Sequence, residues 1–283
     1  MSRLIHADLR RMRKNATFLL CALFMCGLGI VAVVMRYLDL REDPNAYATA
    51  DGFWFLGGMS MSIVLSVLVS LYLGTEYNDG TLRNKLIVGH TRGAIYAAAQ
   101  LTCTVSAIFL HLLYILSVVL TSTLLLEPFK TPMSVLIQLT AVSLLTVAAM
   151  TSIFVAVAMC VSSRSSGAVV AILIALAMLM LAYTVESRLC EPEYIETSFQ
   201  MSLDGEIVQG DPIPNPRYLR GTERDIYQLI HDIHPLGQMM QLVQLKINGS
   251  YVTHICIFIV YSILVNVLAT AVGYTLFRRK DIN

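Results

Sequence analysis

The chain has 283 residues, of which 56% are hydrophobic and 14% charged, with a formal net charge of +1 and a mean hydropathy of +0.67. Soluble domains carry about 25% charged residues, so this composition excludes an ordinary soluble fold and indicates an integral membrane protein. Near-zero net charge supplies no electrostatic case for a nucleic-acid partner, and no nucleic acid is expected.

The first fourteen residues hold Arg3, Arg10, Arg11, Arg13 and Lys14. Plotted as a helix, Ile5, Leu9, Met12 and Ala16 fall on one side and Arg10, Arg13 and Lys14 on the other. This pattern predicts a helix lying flat at a membrane interface, in contact with lipid. Asn15 to Met35 follows, 21 residues without Asp, Glu, Lys or Arg. With no small-x-small site before Arg36, it is expected to be retained as a span, not cleaved as a signal peptide.

Five further uncharged runs follow: Gly52 to Thr75, Gly93 to Leu126, Thr131 to Ser163, Ser165 to Val185 and Ile247 to Phe277, with lengths of 24, 34, 33, 21 and 31 residues. A helix crosses the hydrocarbon in roughly 20 residues, so all six runs can span. Barrel strands alternate over about ten residues, whereas Val169 to Ala182 is apolar all round. The expected fold is all-α, one membrane domain over 1–283. Its spans are expected at 15–35, 53–75, 94–126, 132–162, 166–185 and 251–277.

The connections are unequal. Arg36 to Asp51 reads as a short polar loop with Pro44 and Asn45 as turn signals. The segment 76–92 is longer and polar: Thr81 is the expected N-cap, Leu82 to Val88 the expected two-turn helix, and Gly89 its stop. Pro128 and Pro132 enforce a tight link between the third and fourth spans, and Ser162 to Ser166 is a minimal turn. The region 186–250 is the largest connection. Within it, Ile226, Leu229, Ile230 and Ile233, then Met240 and Val243, recur at helical spacing, and Pro235 and Gly237 interrupt them. Two short helices re-entering the membrane face are predicted.

An even number of spans places both termini on one side. Twelve of the 20 Lys and Arg lie in 1–14, 76–92, 164 and 278–283, with only Asp8, Glu76, Asp79 and Asp281 as acids there. The positive-inside bias therefore places both termini and the 76–92 segment in the cytoplasm. Of the six cysteines only Cys190 falls in an exterior segment. No intrachain disulfide scaffold is expected, and Cys190 is either a free thiol or pairs with another copy.

Chemistry-bearing patterns are few. None of the spans contains Asp, Glu, Lys or Arg, which argues against an ion-coupled carrier, where such groups line the path. His111, near the middle of the third run, titrates near neutrality, with a substrate or proton role or a hydrogen bond to a neighbouring helix as its alternatives. No lysine follows a glycine, so no phosphate-binding loop is present. His231 and His234 could face one ion, but no third ligand is fixed by spacing and Pro235 follows at once, so no metal site is expected. With no nucleophile or paired acid at enzyme spacing, the chain itself is not expected to be an enzyme.

Taken together, several segments resemble the six-helix permease subunits of type-2 ABC exporters, which include bacterial antibiotic-peptide, polysaccharide and drug efflux permeases. The matching residues are Glu76-Tyr77 followed by Gly80-Thr81-Leu82-Arg83, the basic stretch Arg92 to Tyr96, and Phe277-Arg278-Arg279-Lys280-Asp281. The resemblance implies that 1–14, with Arg10, Arg11, Arg13 and Lys14, is an elbow helix. It implies that 76–92 holds a coupling helix contacting an ATPase through Glu76, Arg83, Asn84, Lys85, Leu86 and Arg92, and that Pro235 to Leu245 forms an outer lid. Two ATPase subunits carrying ATP and Mg, and a second permease, the same or homologous, are the implied partners; no cofactor is expected on this chain. The implied location is the plasma membrane of a bacterium, and the implied cargo an antimicrobial peptide, lipid or drug moved by alternating access. The expected substrate path includes Ser62, Ser66, Ser70 and His111, with the second and fifth spans as cavity or dimer walls. Readings left open beside this one are an ATP-independent channel or carrier, and a sensory or self-immunity component.

Overall fold

In a computed structural model of the chain, residues 2–42, 51–201, 207–244 and 255–280 are described. The expected turn residues Pro44 and Asn45, the start of the sixth run through residue 254, Leu245 and Asp281 lie outside them.

Ten α-helices and two strands follow in order among these residues, with a 3-10 turn at Asp51–Phe53 before the third helix: α1 (Ser2–Arg13), α2 (Ala16–Glu42), α3 (Leu56–Asn78), α4 (Thr81–Ile87), α5 (Arg92–Leu125), α6 (Met133–Cys160), α7 (Arg164–Leu189), β1 (Tyr194–Met201), β2 (Ile207–Pro214), α8 (Gly221–Ile233), α9 (Pro235–Gln244) and α10 (Ile255–Arg279). Six of the helices, α2, α3, α5, α6, α7 and α10, are long and apolar enough to cross a membrane. They correspond to the six uncharged runs.

The central pair is α3 and α6. Of the most apolar stretch of each, 67% is buried within the chain, against 28% for α2 and α7 and 11% for α10. Lipid tails are as apolar as leucine, so this packing is driven by close contact and hydrogen bonding and not by water exclusion. Small residues allow it. Ser62, Ser66, Ser70 and Gly74 form a row at four-residue spacing on α3, and Gly167, Ala171, Ala175 and Ala182 lie on the buried side of α7. A Cβ at Gly74 would come within 2.8 Å of the Arg164 Cα, which fixes how closely the two helices begin.

Local chemistry sets the corners. Asn15 Oδ1 accepts hydrogen bonds from the backbone N–H groups of Thr17 and Phe18 at 2.8 and 3.4 Å, capping α2 and separating it from α1. Thr91 caps α5 by accepting from the Ala94 N–H at 3.2 Å. At the other end of the bundle, the Trp54 indole donates to Thr140 at 2.9 Å and the Tyr114 hydroxyl to the Phe53 carbonyl at 2.7 Å, tying the start of α3 to α6 and α5.

Three expectations change. The spans are helical as expected, but β1 and β2 add an unexpected antiparallel hairpin in the large connection, where strict alternation is absent. Thr81 is inside α4, not its cap; Gly80 holds the cap position at φ +64°, a left-handed conformation that glycine adopts without strain. Gly89, at φ +97°, does follow the helix as its stop. The buried row of α1 is Leu4, Asp8 and Met12, with Ala16 exposed, so an acid sits where an apolar stripe was expected. The two short helices α8 and α9 meet at His234, with α9 packed against α3, α6 and α7. A Cβ on Gly237 would strike the carbonyl and ring of His231, which explains a glycine at that corner.

A buried charge cluster beneath an exposed helix

At the end of the bundle carrying α1 and α4, two acids and two bases come together. The Lys85 ammonium on α4 donates to both oxygens of Asp8 on α1 at 3.0 Å, and to both oxygens of Glu76, at the end of α3, at 3.1 and 3.2 Å. Arg11 also forms an ion pair with Glu76. Its guanidinium donates to the Tyr72 hydroxyl at 3.2 Å and lies 5.0 Å from that ring's centre, and Tyr72 in turn donates to the Asp8 carbonyl at 3.2 Å. The formal charges balance, and Glu76 is 1% exposed. Burial pulls the Lys85 ammonium below the ordinary lysine range, and the Asp8 carboxylate beside it opposes that pull.

The cluster joins three elements that the sequence separates. Breaking a buried, hydrogen-bonded ion pair by deleting one partner costs about 3–5 kcal/mol, so α1, the end of α3 and α4 are held as one unit. Leu82, fully buried on the same side of α4, adds an apolar contact to the lock. The opposite side of α4 is open. Arg83 and Asn84 are exposed, Leu86 is half-buried, and Ile87 and the following Val88 are 73% and 78% exposed.

The residues expected to meet an ATPase therefore divide. Arg83, Asn84 and Leu86 reach the surface of α4, whereas Glu76 and Lys85 lie beneath it in the cluster. Arg92 is engaged elsewhere: its guanidinium donates to the carbonyls of Phe277 and Arg278 at 3.1 Å, and to that of Lys280, closing the end of α10. Lys280 reaches back to the Met159 carbonyl at 3.2 Å, which Tyr77 also binds at 2.6 Å, and its ammonium lies 4.2 Å from the centre of the Tyr77 ring. The aromatic and basic residues of the motifs thus cap helix ends. Of the α1 bases, Arg10, Arg13 and Lys14 are exposed and Arg11 turns inward.

Ser62, Ser66 and Ser70 are buried, and their hydroxyls donate to carbonyls of their own helix. His111 is buried with Nε2 3.1 Å from the Ser143 hydroxyl on α6. Sequence reasoning missed Asp8 and Tyr72. A signal for Asp8 was present: it is the single acid among five bases in the first fourteen residues, and such an acid is most stable turned away from the interface and paired.

The sequence pattern of the ABC-2 family transporter proteins matches residues 4–182, from α1 through most of α7. The chain belongs to that family. It is accordingly a multi-pass membrane subunit of an ABC transporter, a transport component and not itself an enzyme, of a kind that associates with an ABC ATPase. No curated protein matches the chain. The charge cluster and α4 both lie inside the matched region, while α8, α9 and α10 lie beyond it.

Two histidines once considered for an ion have other contacts. His231 Nε2 is 3.0 Å from a Glu186 carboxylate oxygen, and the Gly237 N–H lies 3.3 Å from His234 Nδ1. No group of three metal-ligating side chains occurs among the described residues.

Proposed function

We propose that this chain is the transmembrane half of an ATP-driven exporter, and that α4 is the helix on which a separate ATPase subunit bears. The observation that carries this reading is the two-sided character of α4. Its outer side presents Ile87 and Val88 to the surface beside Arg83 and Asn84, and its inner side is fastened through Leu82 and Lys85 to α1 and α3. Exposed apolar residues on a polar helix at the end of a membrane bundle suit a protein contact. A push on that contact passes into α1 and α3 together, because the intervening side chains are buried and paired.

The basic end of the bundle faces the cytoplasm in this reading, where ATP and Mg act on two ATPase subunits beneath two permease halves. Nucleotide-driven closure moves α4, and the halves alternate between inward and outward openings. The exposed apolar face of α7, with Leu173, Leu176 and Met180, suits a wall shared with a second half or with a hydrophobic or amphipathic cargo such as a peptide, lipid or drug. Ser62, Ser66, Ser70 and His111 are enclosed within one copy, so a role for them in the path requires α3, for the serines, and α5, for His111, to part from their neighbouring helices during the cycle. In the same reading α1 is the elbow, α9 the re-entrant lid.

Affinity purification of the tagged chain from its native membrane tests this. The wild-type chain is expected to bring down an ATP-binding subunit, and Ile87→Asp to lose at least ten-fold of it while keeping its own size-exclusion profile. Burying an unpaired carboxylate in an apolar contact costs more than the roughly 1.4 kcal/mol that a ten-fold loss represents. Equal recovery of the ATPase by both would sink the reading.

A further inference from the structure

We propose that the outer face of α1 is a binding surface for anionic phospholipid headgroups. The face is defined by position. At 3.6 residues per turn, Arg3, His6, Arg10, Arg13 and Lys14 fall within about 100° of the helix circumference, and Asp8 points the opposite way. All five side chains are exposed. The four Arg and Lys make no ion pair with an acid among the described residues, while Arg11, one step around the helix, is the base that pairs inward.

The burial of Asp8 completes the surface. Left on the outer face, that carboxylate would cancel one of its charges and repel phosphate. Locked against Lys85 and facing inward, it leaves a face of four cationic side chains without an acid. Depth is set by the chain itself. Asn15 caps α2 directly after Lys14, and Leu19, Leu20 and Leu23 are exposed on α2 about 8 Å further along the helix, where only hydrocarbon covers them favourably. The basic face therefore lies at the level of the headgroups. Arg and Lys donors at that level bind phosphate through charge-assisted hydrogen bonds.

A protein occupant is disfavoured by the same residues. Arginine suits either kind of partner, but a protein contact is also anchored by aromatic and large apolar side chains, and this arc has none, in contrast to Ile87 and Val88 of α4. The inference takes from the proposed function only the placement of this end at the anionic leaflet, and it is tested on the chain alone.

The full chain, purified in mild detergent and equilibrated with equal amounts of phosphatidylglycerol and phosphatidylcholine, is analysed for retained lipid by native mass spectrometry. Each basic side chain at the surface is worth about five-fold in preference for the anionic lipid. The wild-type chain is expected to retain phosphatidylglycerol at least ten-fold over phosphatidylcholine, less so as salt shortens the screening length. The R3Q/R10Q/R13Q/K14Q variant should fall to near parity, and R217Q/R220Q, at the other end of the bundle, should not. Should the quadruple variant fail to fold, R10Q/R13Q and the salt series on the wild type carry the same test. No preference in the wild type, or an undiminished preference in the basic-face variants, would overturn the proposal. So would basic-face variants that keep the lipid preference and lose the ATPase, which would make the face a protein dock. Retention of the ATPase by Ile87→Asp would refute the exporter reading without altering the lipid result.

Discussion

Replacing Lys85 by Met keeps the length of the side chain and removes its charge. In the structure that ammonium holds four hydrogen bonds, two to Asp8 at 3.0 Å and two to Glu76 at 3.1 and 3.2 Å. The carboxylates it leaves have side-chain exposures of only 5% and 1%, so solvent does little to screen them. Arg11 alone would then face two acids. The expected loss is about 3–5 kcal/mol, the cost of an uncompensated buried charge. Adding Asp8→Asn restores the balance as a single Arg11–Glu76 pair, and the remaining loss falls to about 1–2 kcal/mol for the missing hydrogen bonds. The coupling between the two substitutions is thus at least about 1 kcal/mol, in the range of directly contacting residues. Thermal unfolding of the purified chain measures it, with about 2–4 °C expected per kcal/mol at this size. Lys85→Met is expected to lower the midpoint by roughly 6 °C or more, and the double variant by clearly less. Tryptic cleavage after Arg83 gives a local reporter, since release of Lys85 frees α4. If the single and double variants lose equal stability, or Lys85→Met loses none, the cluster is not the lock described.

Two other outcomes follow from packing and titration. A Cβ at Gly273 would lie 2.6 Å from the Ala156 Cβ and 2.8 Å from its Cα, while one at Gly27 would meet nothing within 4 Å. Gly273→Val is expected to cost about 1–3 kcal/mol by forcing α10 from α6, and Gly27→Val little; equal midpoints for the two would refute this close approach. His234 is held down at about 4, chiefly by burial and secondly by His231, from an ordinary value of 6.5. As pH falls from 6.5 towards 4 the unfolded chain takes up this proton and the folded chain does not, so stability declines across that window and levels off below it. The decline amounts to about 3 kcal/mol at most. Hydrogen exchange in α8 and α9 should rise over that range in the wild type and less in His234→Gln; parallel pH profiles would remove His234 as the cause.

The spans were legible because each is a run without a charge, and a charge in hydrocarbon is too unfavourable to be scattered by chance. The corners were legible where glycine or proline imposed them, as at Gly89 and Pro235. What escaped sequence reading came from tertiary pairing. Glu76, Lys85 and Arg92 look alike as charged residues of one polar segment, yet two are buried against α1 and the third closes α10, contacts made across 77 residues for Asp8–Lys85 and 185 for Arg92–Phe277. No local pattern reports such distances. Nor does the sequence show that the serines of α3 are enclosed within one copy, their hydroxyls bonded to the preceding turn of their own helix. The hairpin of β1 and β2 carries register irregularities, and the alternation that would have announced it is broken there.

The central claim is that α4 transmits an ATPase's motion to the bundle, and site-specific photo-crosslinking from Val88 in native membranes tests it most directly. A benzophenone side chain at Val88 is expected to capture an ATP-binding subunit, with a yield that changes when a non-hydrolysable nucleotide is added. The same probe at Leu20, on the exposed face of α2, should capture none. Capture of lipid alone from Val88, matching the pattern from Leu20, would contradict the account.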